Sequence, residues 1–109
     1  MAKQTRIMYI ERKAGELVGP SRIGRVRFSK TGATIYYAGK SFRSLHGRGF
    51  KANYYCVETG EQYWISGPRR DGDDGLYTTN VRTKIDEDAR EEYWLSIRRM
   101  PSLVHRKQS

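Results

Sequence analysis

At 109 residues, 37% apolar and 30% charged, the chain is long enough for one domain with a modest core and too short for two. Two Trp, eight Tyr and three Phe speak against wholesale disorder, the single cysteine (Cys56) excludes an intrachain disulfide and a Cys-based metal site, and no apolar run approaches the roughly 20 residues of a membrane-spanning helix. The formal charge of +9 is unevenly placed: residues 1–55 hold twelve Lys or Arg against Glu11 and Glu16 alone, whereas residues 56–109 are close to neutral. A field of one sign draws in polyanions, although many small basic proteins carry such a face only for solubility.

The start, MAKQTRIMYIERK, is basic but has no apolar h-region, so a secretory signal is not expected and a cytoplasmic location is. Thr5–Glu11 is β-branched and aromatic enough for a first strand. Arg22–Phe28 alternates, with Gly24, Val26 and Phe28 on one side and Ile23, Arg25 and Arg27 on the other. Ser29-Lys30-Thr31-Gly32 supplies a turn, and Ala33–Ala38 continues as the partner strand. A two-residue loop at Thr31-Gly32 pairs Phe28 with Ile35 and Arg27 with Tyr36, segregating an apolar face from one carrying Arg25, Arg27 and Tyr36. Ser41–Leu45 is a short strand candidate, followed by the Gly47-Arg48-Gly49 loop.

Lys51–Val57 and Gln62–Ser66 read as a second hairpin around Glu58-Thr59-Gly60-Glu61. The same two-residue loop there gathers Tyr54, Cys56, Tyr63 and Ile65 and sets Tyr55 opposite Trp64, but hydrophobic segregation barely decides this register. The Thr-Gly turns of FSKTGATIYY and CVETGEQYWI reflect shared turn chemistry rather than a repeat. Gly67–Gly75 is a loop, and Leu76–Ile85 has room for a last short strand. The one helix is expected over about 86–100, with Asp86 as N-cap, acids in the first turns, Arg98 and Arg99 at its end, and Pro101 beyond. Ala89, Tyr93, Ile97 and Met100 form its stripe, with Trp94 beside them, more probable as core than as a binding face. Residues 102–109 read as a flexible basic tail behind a single domain over 1–101.

Several fragments fail as signatures. Gly19–Arg25 has P-loop spacing, but Arg25 and Val26 stand where Lys and Ser or Thr belong. Gly47–Ala52 matches G-x-G-x-x-A, yet a strand-like run follows it rather than a helix. Counted from Asp71, the twelfth position of a calcium loop is Arg82 instead of Glu. Arg48–Tyr55 opens like the RNA-recognition octamer and departs at Lys51, Ala52 and Asn53. Catalysis is poorly supported as well: His46 and His105 are the only histidines, and nothing in the spacing pairs either with Cys56 as base and nucleophile. No enzyme activity, cofactor or metal is expected.

The stretches IMYIE, GPSRIGRVRFSKTGATIYYAGKSF, GFKANYYCVETGEQYWISGPRRDG and IDEDAREEYW, running from about Arg6 to Pro101, resemble a family of short bacterial proteins of unknown function. Its members often carry the label 1-deoxy-D-xylulose-5-phosphate synthase. That enzyme is a large thiamine-diphosphate protein with Gly-Asp-Gly a few dozen residues before a pair of Asn; here Gly72-Asp73 is followed by Asp74, and Asn80 comes too soon and alone. The resemblance implies a compact bacterial domain and supplies no site residues.

The expected fold is α+β: a strongly bent antiparallel sheet or small SH3-like barrel of five to six strands with one C-terminal helix, its core drawn from Val26, Phe28, Ile35, Tyr37, Tyr54, Ile65, Trp94 and Ile97. The expected function is nucleic-acid binding without catalysis, to DNA or RNA. Arg25, Arg27, Lys30, Lys40, Arg43, Arg48 and Lys51 would meet phosphates, and Tyr36, Tyr55 and Trp64 would offer stacking surfaces. The alternative is an interaction module that docks an acidic partner protein, such as the Asp86–Glu92 helix of a neighbour.

Overall fold

A computed structural model describes residues 4–13, 19–49, 51–72, 74 and 82–109. Six strands follow one another around a closed antiparallel ring: β1 (Thr5–Arg12), β2 (Ser21–Phe28), β3 (Thr34–Tyr37), β4 (Lys40–Ser44), β5 (Tyr54–Cys56) and β6 (Gln62–Ser66), with β1 pairing both β2 and β6. A short β7 (Lys84–Ile85) adds in parallel to the outer edge of β2, and one helix, α1 (Glu87–Glu92), follows it. The expected small barrel with a single C-terminal helix is the observed architecture.

Alternation fills the barrel. Met8, Ile10, Val26, Ile35, Phe42, Cys56, Tyr63 and Ile65 point inward and are buried, with Phe28, Tyr37 and Tyr54 closing the cluster at its ends. Phe42 and Tyr63 meet edge to face at 4.7 Å between centroids. A second cluster lies outside the barrel wall. There the outward side chains of β1 and β2 (Ile7, Tyr9 and Ile23) are covered by Ile85, Ala89, Tyr93 and Trp94. β1 is therefore buried on both faces, which is why Ile7–Ile10 reads as an unbroken apolar run. Farther along the same outward side, Glu11 and Lys13 are fully buried and paired at 2.9 Å, and Tyr9 donates to the other oxygen of Glu11 at 2.8 Å.

The first hairpin has the expected register, Arg27 opposite Tyr36 and Phe28 opposite Ile35. The second does not. Tyr54 pairs with Tyr63 and Tyr55 with Gln62, two residues away from the expected alignment, and Trp64 lies opposite Glu11 of β1 instead of Tyr55. A slip of two keeps every side chain on its face, so the inward set of Tyr54, Cys56, Tyr63 and Ile65 is unchanged. β5 is also shorter than Lys51–Val57. At its start the Asn53 carboxamide takes the part of backbone, accepting from Ile65 N–H at 2.8 Å and donating to Ile65 C=O at 2.7 Å.

The helix differs from expectation at both ends. Asp86 stands at the N-cap position with extended backbone, yet its carboxylate caps nothing: it accepts from Arg22 Nε at 2.6 Å and from the Tyr37 hydroxyl. Gly24 lies beneath this bond, and a Cβ there would collide with both the Tyr37 ring and the Asp86 carboxylate. After Glu92 the helix widens into a π-helical turn over Tyr93–Ile97 and stops short of residue 100, leaving Met100 exposed. Residues 102–109, expected as a flexible tail, fold back beside β7: Ile85 N–H donates to Lys107 C=O, Ser109 N–H to Thr83 C=O, and the Trp94 indole to Arg106 C=O. Of the expected last strand only Lys84–Ile85 is observed, and residues 75–81 lie outside the described residues.

Candidate nucleic-acid interface

The helix covers the outer face of β1 and the first half of β2, and among the described residues no element packs over the outer face running from the end of β2 to β5. Because Val26, Ile35, Phe42 and Cys56 point inward, their neighbours Arg27, Tyr36, Arg43 and Tyr55 point outward. The turn after β2 fixes this alignment. Ser29 N–H donates to Thr34 C=O at 2.9 Å, Gly32 N–H to Ser29 C=O at 2.9 Å, and Gly32 takes the left-handed conformation that suits glycine. Across the ladder, Arg27 stands opposite Tyr36, Tyr36 opposite Ser41, and Arg43 opposite Tyr55. The Arg27 guanidinium lies over the Tyr36 ring at 4.3 Å from its centroid, the stacked arrangement the expected register implied.

Two open grooves divide the expected residues. Arg25, Arg27, Tyr36 and Lys40 border one of about 440 Å³, together with Asp88 of the helix. Arg43, Arg48 and Tyr55 border another of about 530 Å³ at the opposite end of the β3–β4 ladder, together with His46 and Tyr54. Sequence reasoning missed the last two as binding residues. His46 stands beside the Gly47-Arg48-Gly49 run, on the same turn as Arg48, and that adjacency was the available signal. Lys30 is exposed at the β2–β3 turn and Lys51 is half-buried ahead of β5; neither borders a groove.

Two of the expected residues are not free to bind. Arg25 is half-buried and donates to Glu92 at 2.8 Å, a hydrogen bond that raises its pKa further and commits its charge to the helix. Trp64 packs against the second cluster, because β6 borders β1 and shares its covered side; its indole nitrogen is buried without a hydrogen-bond partner among the described residues. By contrast Arg27, Lys30, Lys40, Arg43, Arg48 and Lys51 form no ion pair among the described residues. Besides Asp88, Glu58 stands at the border: it accepts from Ser41 N–H at 2.9 Å, a bond that holds its pKa below the ordinary carboxylate value. Cys56 is fully buried inside the barrel. Comparison with protein-family models, curated proteins and solved structures returned no match.

Proposed function

We propose that this chain is a small, basic, non-catalytic nucleic-acid-binding protein that uses the open outer face of β2–β5. The observation that carries this reading is the segregation of charge: on the helix-covered side Arg22 and Arg25 are paired with the chain's own acids, and the cations of the open face form no ion pair among the described residues, beside Tyr36 and Tyr55. Arg27, Arg43 and Arg48, with Lys30, Lys40 and Lys51 around them, supply phosphate contacts. Tyr36 and Tyr55 supply ring faces on which unpaired bases stack, so single strands are favoured over duplex. A cytoplasmic location and membership of the short bacterial family belong to the same proposal, and among the described residues no helix is long and apolar enough to cross a membrane.

The test is binding of random single- and double-stranded oligonucleotides at two salt concentrations. Micromolar binding to single strands that falls steeply with salt is the expected result. No binding at low salt ends the proposal. A pull-down from lysate that survives nuclease and retains an acidic protein points to the alternative, a module docking an acidic partner. A neighbour's Asp86–Glu92 helix is a poor candidate for that partner, since Asp86 and Glu92 are already engaged by Arg22 and Arg25 of the same chain.

A further inference from the structure

The end of the barrel beside β7 opens into a cavity of about 390 Å³ that meets the nucleic-acid face only at Tyr37, Ala38 and Lys40. That volume falls at the lower end of the roughly 300–1,000 Å³ typical of small-ligand sites. Its floor is interior surface of the barrel, formed by Ile10, Phe42, Tyr63 and Tyr37. Its rim is cationic. Lys40, Arg82 and Lys84 stand there with no ion pair among the described residues, whereas Arg12 and Arg22 are held by Glu61 and Asp86. Two hydroxyls of the wall are already engaged: that of Tyr37 donates to Asp86, and that of Ser21 bonds the Thr83 hydroxyl at 2.8 Å.

From this arrangement we infer a second binding site, one that takes a small hydrophobic anion: a hydrocarbon body seated on the aromatic floor and one carboxylate or phosphate head at the rim. The chemistry selects each part. An apolar body needs no hydrogen bonds from a floor of Ile10, Phe42 and aromatic rings, whereas a nucleobase would leave most of its polar edge unmatched there. Seated at the rim, the anionic head meets three uncommitted cations at the edge of a low-dielectric floor, where charge pairing is stronger than in open water. A neutral body lacks that attraction, and a cation is repelled.

Decanoate, decyl phosphate, decanol and adenosine monophosphate serve as probes, with affinity read by calorimetry and location by methyl NMR of the isoleucines. Decanoate and decyl phosphate are expected to bind one to one and to shift Ile10, and decanol and the nucleotide to bind about tenfold more weakly or less, the scale of one lost charge contact. Reversing Arg82 and Lys84 to Glu is expected to weaken decanoate about tenfold while changing oligonucleotide binding less than about threefold, since neither residue is on the open face. If that double variant melts early, Lys84→Gln replaces it, with a loss of about threefold expected for one neutralised exposed cation. The inference is overturned if decanoate does not bind, if decanol binds equally well, if the nucleotide binds more tightly, if the variants bind decanoate as the parent does, or if the shifts fall on isoleucines away from the mouth.

Discussion

The covered and the open parts of this barrel's outer face share strand β2 and treat charge in opposite ways. On the covered side, Arg22 meets Asp86, Arg25 meets Glu92, and Arg98 lies against Trp94 and Tyr93 while donating to the backbone of Arg70. On the open side Arg27, Arg43 and Arg48 form no ion pair with a carboxylate among the described residues. The chain is basic in its first half and acidic around its helix, and the acids of the helix segment pair with Arg22 and Arg25 on the covered side. Net charge is thus a poor guide to a binding face. What remains after internal pairing is the better one.

The contrast breaks first where burial is deepest. Glu11→Ala removes a buried carboxylate that pairs with the fully buried Lys13 and accepts from Tyr9, and is expected to cost about 3–5 kcal/mol in urea denaturation. Trp94→Ala removes a fully buried indole that also bonds Arg106, and the expected loss is similar, about 3–5 kcal/mol by thermal or urea unfolding. Unchanged stability there would detach the helix from the barrel and undo the covered side. The comparison sharpens on the open side: reversing Arg27 and Arg43 to Glu is expected to weaken oligonucleotide binding at least about tenfold, while stability falls by no more than about 0.5–1 kcal/mol, the scale of the exposed Arg27–Tyr36 stack that is lost with the phosphate contacts. Reversing Arg22 and Arg25 is expected to do the opposite, lowering stability by about 0–1 kcal/mol per broken surface pair and binding far less. Equal effects of the two pairs on binding would mean that only total charge matters.

The smallest effect concerns pH. Burial raises the pKa of Asp74, so the charged form is penalised in the folded state. Stability linked to this group is fully present below its unfolded pKa and lost as pH rises through its folded one. Relative to Asp74→Asn, the parent should gain stability as pH falls from 7 into the acidic range, measured by urea unfolding across that range.

Where one face of a strand was wet, the pattern was legible. Val26, Phe28, Ile35 and Tyr37 alternate with Arg27 and Tyr36, and the register and the Arg27–Tyr36 stack followed from that alternation. The second hairpin offered apolar residues on both faces, so a shift of two cost nothing in the pattern, and the choice fell to Asn53, whose carboxamide imitates a strand residue in a way no periodicity reveals. Arg25 and Trp64 were misjudged for one shared reason. Whether an outward side chain is free depends on what a distant segment lays over it, and Glu92 and the helix core lie far along the chain. His46 and Tyr54 were not counted among the binding residues because their groove forms only when the loop after β4 folds against β5.

Chain order and ring order coincide in this barrel, and that has a consequence for how fast it forms. Within the six-stranded ring every pairing but one joins neighbours in sequence, and the exception is the seam that sets Tyr9 against Ser66 and Arg12 against Tyr63. The hairpins can zip locally, each closing a short loop at small entropic cost, whereas the seam must bring the two ends of the meander together. The rate of folding is therefore governed by that one closure, and the interior core, which needs Ile10 and Ile65 side by side, is completed only with it.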